Sequence, residues 1–295
     1  MDNLMKYKVP YFIFSILIML PGLYYLFTSG LKLGIDFTGG ALLEYQFNNP
    51  INTEELKSTI LEQGIEVGQI VESGNNTYII RTKPIEEGKV NEIKNKLSQK
   101  YGTIEERRIE NVGPVIGNEL KQKSGIALGL STVAIILYIA FTFRKVPKPA
   151  SSWRFGITAI VALLHDVLVV VGIFAILGHV WGVEVDTLFI TALLTIIGFS
   201  VHDTIVVFDR IRENLLKHPG LKFEKIANLS VVQTLGRSLN TSLTVVFVLT
   251  AMLLFGGETL RWFTVALLIG IISGTYSSIF NATALLSYWE EKLGH

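Results

Sequence analysis

The chain has 295 residues, of which 49% are hydrophobic and 17% charged, with a mean hydropathy of +0.45. Soluble globular domains carry about 25% charged residues, so most of this chain is built for an apolar surround. The net charge of +1 excludes a general electrostatic grip on nucleic acid, and the absence of Cys excludes disulfides and thiolate metal sites.

A membrane-spanning helix needs about 20 consecutive, mostly apolar residues. The first such run, 9–31, lacks a small-residue cleavage pattern before Leu31 and reads as a signal anchor that is kept. Residues 32–123 form a polar interlude with its own alternation. Ala41–Phe47 reads as a strand, and Thr53–Gln63 as a helix capped by Thr53 with Leu56, Ile60 and Leu61 inward. Val67–Val71 and Thr77–Arg81 flank the hairpin signal Ser73-Gly-Asn-Asn76. Glu86–Lys100 is a second amphipathic helix, with Val90, Ile93 and Leu97 on one face, and Ile104–Val112 is a last strand. The order βαββαβ predicts an α+β ferredoxin-like domain.

Spans then follow at 124–143, 155–178, 187–208, 231–257 and 262–289. The third is interrupted by His165-Asp166 and the fourth by His202-Asp203, while Arg237 opens the uncharged part of the fifth, 238–257. The expected architecture is a polytopic α-helical membrane protein with six transmembrane helices. One extracytoplasmic ferredoxin-like domain sits between helices 1 and 2, so the divisions are 1–31, 32–123 and 124–295.

Lys and Arg in short loops set the orientation. Lys6 and Lys8 lie before the first span; Arg144, Lys145, Lys148 and Arg154 follow the second; Arg210, Arg212, Lys217, Lys222 and Lys225 follow the fourth. The turn after the third span carries Glu184 and Asp186 without Lys or Arg, and the tail from Glu290 is too short to inform. Both termini are therefore expected in the cytoplasm and 32–123 outside.

An ionisable side chain at membrane depth costs a few kcal/mol and marks a candidate functional site. Asp203 lies roughly 8–9 Å from the cytoplasmic end of its span at 1.5 Å per residue, and Arg237 at about the same depth. Thr191, Thr195, Gly198 and His202 share one helical face bordered by Asp203, and Thr234, Arg237, Ser238, Thr241 and Thr244 share another. The expectation is that these two faces bury each other. Arg237 moving nearer and farther would then make Asp203 release and capture a proton; the alternative is a static ion pair that fixes helix register. Asp166 with His165 is either a second proton station or a packing hydrogen bond. Gly270, Gly274, Ser277, Asn281 and Ala284 share one face of the last span, where small residues mark close helix packing.

Four blocks carry a resemblance: Gly34-Ile-Asp-Phe-Thr-Gly-Gly40, Gly198–Asn214, Gln233–Ser242, and Phe255-Gly-Gly-Glu258 followed by Gly274–Phe280. In this order they resemble the SecD/SecF family of protein-export membrane proteins, within the resistance-nodulation-division superfamily, and its SecF branch in particular. The likeness covers the chain from the first span to the sixth. It implies an accessory subunit of the Sec translocase in the bacterial plasma (inner) membrane, paired with SecD beside the Sec translocon channel. That complex would use the proton-motive force to promote export of unfolded polypeptides. It also implies Asp203 and Arg237 as relay residues, with Asp166 and His165 as the family's His-Asp pair.

The expected contacts are SecD, the channel, exported polypeptides and membrane lipid, with no nucleic acid; protons are the coupling ion, and no cofactor or metal is expected. His202 departs from the Asn usual in the family, so it either joins the relay or replaces the amide as a hydrogen-bonding group. Asn281 stands where the family tends to be apolar and is expected to bond across to a neighbouring helix. The signature residues Gly34, Asp36, Phe37, Gly39 and Gly40 are read as shaping the turn from helix to domain, and Gly256 and Gly257 as the outer turn between spans five and six.

Two other readings compete. One is a proton-coupled small-molecule exporter half-unit of the same superfamily, which would need a larger outside region. The other is a scaffold whose charges only order helices. The sequence carries no Ser/His/Asp set, nucleotide loop or metal-spaced cluster, and we read no enzyme from it.

Overall fold

The computed structural model describes residues 4–147 and 150–292, so Lys148 of the second-span loop lies outside the described residues. In chain order, a 3-10 turn Leu4–Tyr7 leads into α1 Lys8–Thr28, followed by α2 Ile35–Thr38, β1 Gly40–Phe47, α3 Thr53–Leu61 and β2 Val67–Glu72. Next come β3 Thr77–Thr82, α4 Glu87–Tyr101, β4 Ile104–Val112, α5 Pro114–Thr142 and α6 Ser152–Trp181. The chain continues through α7 Thr187–Lys217, α8 Phe223–Phe255 and α9 Glu258–Tyr276, a π-helical segment Ser277–Ala282 and α10 Thr283–Lys292. Two compact units result: Leu33–Gly125, and the chain up to Lys32 joined by the chain from Ile126 onward.

The smaller unit is the ferredoxin-like domain. Its antiparallel sheet has the order β2-β3-β1-β4. Alternation sends Ala41, Leu43, Tyr45 and Phe47 of β1 to one face, where they bury against Leu56 and Ile60 of α3 and Val90, Ile93 and Leu97 of α4. The larger of these apolar side chains each contribute about 1.5–3 kcal/mol on burial, which fixes the register of β1 against β3 and β4. The cap of α3 differs from expectation. Asn52 accepts from the Glu54 amide at 2.8 Å, and Thr53 is the first helical residue, since the extended backbone at Asn52 sets its side-chain oxygen against a free N–H of the first turn. The β2–β3 turn needs left-handed backbone at Gly74, Asn75 and Asn76, residue types that tolerate it.

The signature Gly34–Gly40 lies at the domain's entrance. Gly34 precedes α2, Phe37 is buried, and Asp36 lies within the α2 turn. Gly39 and Gly40 take φ of +72° and +139°; a Cβ on Gly40 would stand 2.7 Å from the Thr82 carbonyl oxygen, and one on Gly39 would stand 3.1 Å from Pro114 Cα. Two glycines are thus required for the strand to start this close to β3 and to the first residue of α5.

Six helices among the described residues are long and apolar enough to cross a membrane: Leu4–Thr28, Pro114–Thr142, Ser152–Trp181, Thr187–Lys217, Phe223–Phe255 and Thr259–Lys292. They outrun the apolar segments because a helix keeps its own backbone hydrogen bonds on leaving lipid. At the polar end of α7, Asn214 donates to Ser230 Oγ and Gln233 Oε1 of α8, both at 2.8 Å, and so fixes the α7–α8 hairpin. The rings of Phe143, Phe155 and Phe208 meet with centroids 5.2–5.7 Å apart in the core at this end. Arg154, counted with the loop after the second span, is in the first turn of α6 and lies 2.8 Å from the fully buried Glu290 of α10. Helices α1 and α6 cross at Gly22 and Gly172, where an added Cβ would come within 3 Å of the opposite backbone. The turn between α8 and α9 runs through Gly256 and Gly257, and a Cβ on Gly256 would collide with the Met252 carbonyl.

Candidate functional site

Asp166 sits in the middle of α6, which starts after Ser151 and stops at left-handed Gly182. Its side chain is completely buried. Ser200 of α7 and Ser277 of the π segment each donate to Oδ2 at 2.6 Å, Ser273 of α9 donates to Oδ1 at 3.0 Å, and His165 Nδ1 lies 3.0 Å from Oδ1. Such a donor set satisfies a buried carboxylate. The half-buried His165 keeps Nε2 buried without a hydrogen-bond partner among the described residues. Gly274 makes room for this cluster: a Cβ there would meet Ser200 Cβ at 3.2 Å and Asp166 Oδ2 at 3.5 Å. The π segment begins at Ser277, and such bulges often accompany functional sites.

Asp203 in α7 is 2% exposed, and its Oδ2 is buried without a hydrogen-bond partner among the described residues. The hydroxyls of Ser242 on α8 and Thr275 on α9 share a hydrogen bond of 2.6 Å and face the Asp203 carboxylate. One residue along α7, Thr204 Oγ1 lies 2.8 Å from Ser278 Oγ, and Ser278 donates to the Ser200 carbonyl at 3.1 Å. Hydroxyls thus line the contact between α7 and the last helix in two groups, one on Asp166 and one at Thr204–Ser278, joined only through the Ser200 carbonyl, with Asp203 next to Thr204 along α7. A carbonyl accepts but does not donate, so proton exchange among hydroxyls stays within each group.

The expected face-to-face burial of the two polar stripes is not found. Thr191, Thr195, Gly198 and His202 are exposed on α7, and Arg237, Thr241 and Thr244 are exposed on α8; only Thr234 and Ser238 turn inward. Arg237 has no ion-pair partner among the described residues and does not pair with Asp203. Helical spacing tells which residues share a face but not which face looks inward. On α7 the inward face is Ser200, Asp203, Thr204 and Val207, rotated about 100° from His202.

Gly270, Gly274, Ser277 and Asn281 are all buried, and a Cβ on Gly270 would overlap Ile196 of α7. Asn281 does bond across: Nδ2 donates to Ser15 Oγ of α1 at 2.6 Å. Sequence reasoning missed Ser200, Ser242, Ser273, Thr275 and Ser278. The available signal was Ser/Thr at i, i+4 within apolar runs, as in 200/204, 238/242 and 273/277.

Residues 92–292 match the family described as "Protein export membrane protein SecD/SecF, C-terminal", and residues 24–51 match the "SecD/SecF GG Motif". The chain belongs to the SecD/SecF family. Among curated SecD/SecF relatives, it is 49% identical to "Protein translocase subunit SecF" of Thermobaculum terrenum, over 99% of this chain and 95% of the relative. It is 42% identical to the protein of the same name from Anaerolinea thermophila, over 98% and 94%. Among solved structures, "Crystal structure of SecDF, a translocon-associated membrane protein" from Thermus thermophilus superposes with a TM-score of 0.85 at 32% identity. That match covers 98% of this chain and 39% of the SecDF chain, so this chain spans well under half of that relative. The family places a multi-pass membrane bundle with an inserted α+β domain in the same order as found here.

Proposed function

We propose that this chain is the SecF-type subunit of a SecD–SecF complex that draws on the proton-motive force to promote polypeptide export across the plasma membrane. The observation that carries the reading is Asp203 Oδ2, buried in an apolar bundle without a hydrogen-bond partner among the described residues. A carboxylate oxygen left unsatisfied at this depth is costly and persists where it is used. Protons are the coupling ion, and the chain works without a resident cofactor. In this reading both termini are cytoplasmic and 32–123 faces outward, following Lys6, Lys8, Arg144, Lys145, Arg210 and Arg212.

The relay residues are Asp203 and Arg237. The exposed stripe of His202, Arg237, Thr241 and Thr244 is the face that a second six-helix bundle, supplied by SecD, covers. Covering it desolvates Arg237 and brings a polar contact to within reach of Asp203 through the Ser242–Thr275 pair. A proton entering at Asp203 weakens its attraction to Arg237, and release restores it. Each charge that crosses 100 mV is worth about 2.3 kcal/mol, enough to bias two arrangements of α7 and α8. Asp166 and His165 hold α6, α7 and the last helix together while α8 shifts. The ferredoxin-like domain follows the bundle and acts on the emerging polypeptide beside the Sec channel.

The test is proton flux in vesicles bearing the co-purified SecD partner and this chain. Asp203→Asn is expected to abolish flux with the complex intact. Unchanged flux in an intact complex would overturn the relay and with it the motor reading.

A further inference from the structure

The buried residues of α1 are Ser15 and Gly22, one heptad apart on a helix whose other positions are more open. Gly22 meets Gly172 of α6, where an added Cβ on either would come within 3 Å of the opposite backbone. One heptad later on both helices, Ser29 Oγ lies 3.2 Å from His179 Nδ1, and the Tyr25 and His179 rings meet at 4.9 Å. The two helices therefore run parallel in a heptad register, the spacing at which packed helices repeat their contacts. Carried one step the other way from Gly22 and Gly172, that register sets Ser15 opposite His165. The glycine contact lies midway between the two Ser/His levels, so the gap that Ser15 has to bridge is comparable to the one Ser29 bridges.

The π segment gives the same placement independently. Its Ser277 donates to Asp166 Oδ2 at 2.6 Å, and its Asn281, about one turn on, donates to Ser15 Oγ at 2.6 Å. Ser15 and the Asp166 centre are thus tied to neighbouring turns of one segment.

The unfilled atoms are complementary. Three serines donate to Asp166, which therefore acts as an acceptor towards His165 Nδ1, 3.0 Å from Oδ1. In the neutral ring the hydrogen then sits on Nδ1, and Nε2 is an acceptor, buried and without a hydrogen-bond partner among the described residues. Ser15 accepts from Asn281 and still has a hydrogen to give. Tyr276 Oη also faces Ser15, but it already bonds the Tyr11 carbonyl at 2.9 Å. The Ser15 hydrogen gains more at Nε2, which is otherwise buried unsatisfied.

We propose that the Ser15 hydroxyl donates to His165 Nε2. One chain of hydrogen bonds then runs from Asn281 Nδ2 to Ser15 Oγ, from Ser15 Oγ to His165 Nε2, and from His165 Nδ1 to Asp166 Oδ1, with each donor matched to an acceptor. Ser15 is thereby a positioning residue for the Asp166 centre. It fixes the tautomer and ring orientation of His165 and joins α1 to the centre. The chain passes from α1 through Lys32 into the ferredoxin-like unit at Leu33, so the helix so joined is the one that leads into that domain. The proposal needs only the packed bundle and is independent of the export reading.

Imidazole 15N spectra of the full chain in lipid vesicles test it. The five histidines are labelled, and His165 and His179 are assigned with His165→Gln and His179→Gln. Wild-type His165 is expected as a single neutral form, with the proton on Nδ1 and a hydrogen-bonded Nε2. Ser15→Ala should abolish the hydrogen-bond shift of Nε2 and leave His179 unmoved, which also shows that the helices still pack, while Ser15→Thr should keep the shift. Ser29→Ala should move His179 alone. A wild-type Nε2 that carries a proton, or an Nε2 signal that Ser15→Ala leaves in place, overturns the proposal. Equal movement of both histidines in Ser15→Ala overturns it in favour of a general loosening of α1.

Discussion

Of the three carboxylates buried in the bundle among the described residues, Glu290 pairs with Arg154, and the structure treats the other two, Asp166 and Asp203, in opposite ways. Asp166 meets three serine hydroxyls and a histidine from α6, α7, α9 and the π segment. Asp203 keeps one oxygen without a hydrogen-bond partner and faces a pair of hydroxyls already bonded to each other. A saturated carboxylate gains nothing by moving and acts as a hub between helices. An unsaturated one gains a partner whenever a neighbour shifts or a proton arrives. The difference teaches that charge at membrane depth does not by itself separate the two; the hydrogen-bonding capacity left on each charge does.

The largest effect expected from breaking this contrast is at the hub. Asp166→Leu should destabilise the bundle by about 3–5 kcal/mol, because three buried hydroxyls lose their acceptor at ~1–3 kcal/mol each and recover part through helix carbonyls. Thermal unfolding in detergent, compared with wild type, reads this directly. A change below about 1 kcal/mol, the net worth of a single hydrogen bond, would remove the hub from the comparison.

Overpacking beside the hub comes next. Gly274→Leu forces Ser200 away from Asp166 and should cost about 1–3 kcal/mol in the same assay, with Gly274→Ala milder. Equal tolerance of both would mean that α7 and α9 can separate freely.

Asp203→Asn should behave differently again: proton flux is lost, yet stability changes by less than about 1 kcal/mol, since a neutral amide is no worse buried than a partnerless carboxylate oxygen. Should this variant unfold the bundle as Asp166→Leu does, the two carboxylates would have the same role.

The smallest effect lies in the ferredoxin-like domain, where Tyr45 repeats the Asp203 situation without function. Its hydroxyl is buried without a hydrogen-bond partner among the described residues. Burial, and secondarily the charge of Glu106, push its pKa from 10.0 up to about 12. Between these values the folded state keeps a proton that the unfolded state gives up. The domain's stability is therefore intact below pH 10 and falls as pH rises toward 12. Tyr45→Phe should add about 1 kcal/mol at neutral pH and remove that alkaline loss, read by hydrogen exchange of the β1 amides in the full chain. A loss of protection instead would point to a partner for the hydroxyl.

The sequence by itself determined the architecture. Six apolar runs of spanning length and a βαββαβ alternation are one-dimensional signals, because helix and strand periods and bilayer thickness act on neighbours along the chain. It also singled out Asp166, Asp203 and Arg237, since each interrupts an apolar run. The close packing of the last span was legible as small residues at helical spacing, and Asn281 as a bond across to another helix, though not that its partner would be Ser15.

Tertiary structure alone decided what those groups touch. The stripes containing His202 and Arg237 looked mutually complementary, but α7 turns its Ser200–Asp203–Thr204 side inward, and the rotation follows from packing against α6 and α9 rather than from the pattern on α7. Serines at 200, 273 and 277 could have bonded their own helix carbonyls. Converging on Asp166 requires three elements to meet at one depth, with Gly274 clearing the space. Glu290, in a tail too short to inform on orientation, became the buried partner of Arg154 for the same reason. Periodicity fixes an element and its faces; only the summed burial of all the helices chooses which face is inside.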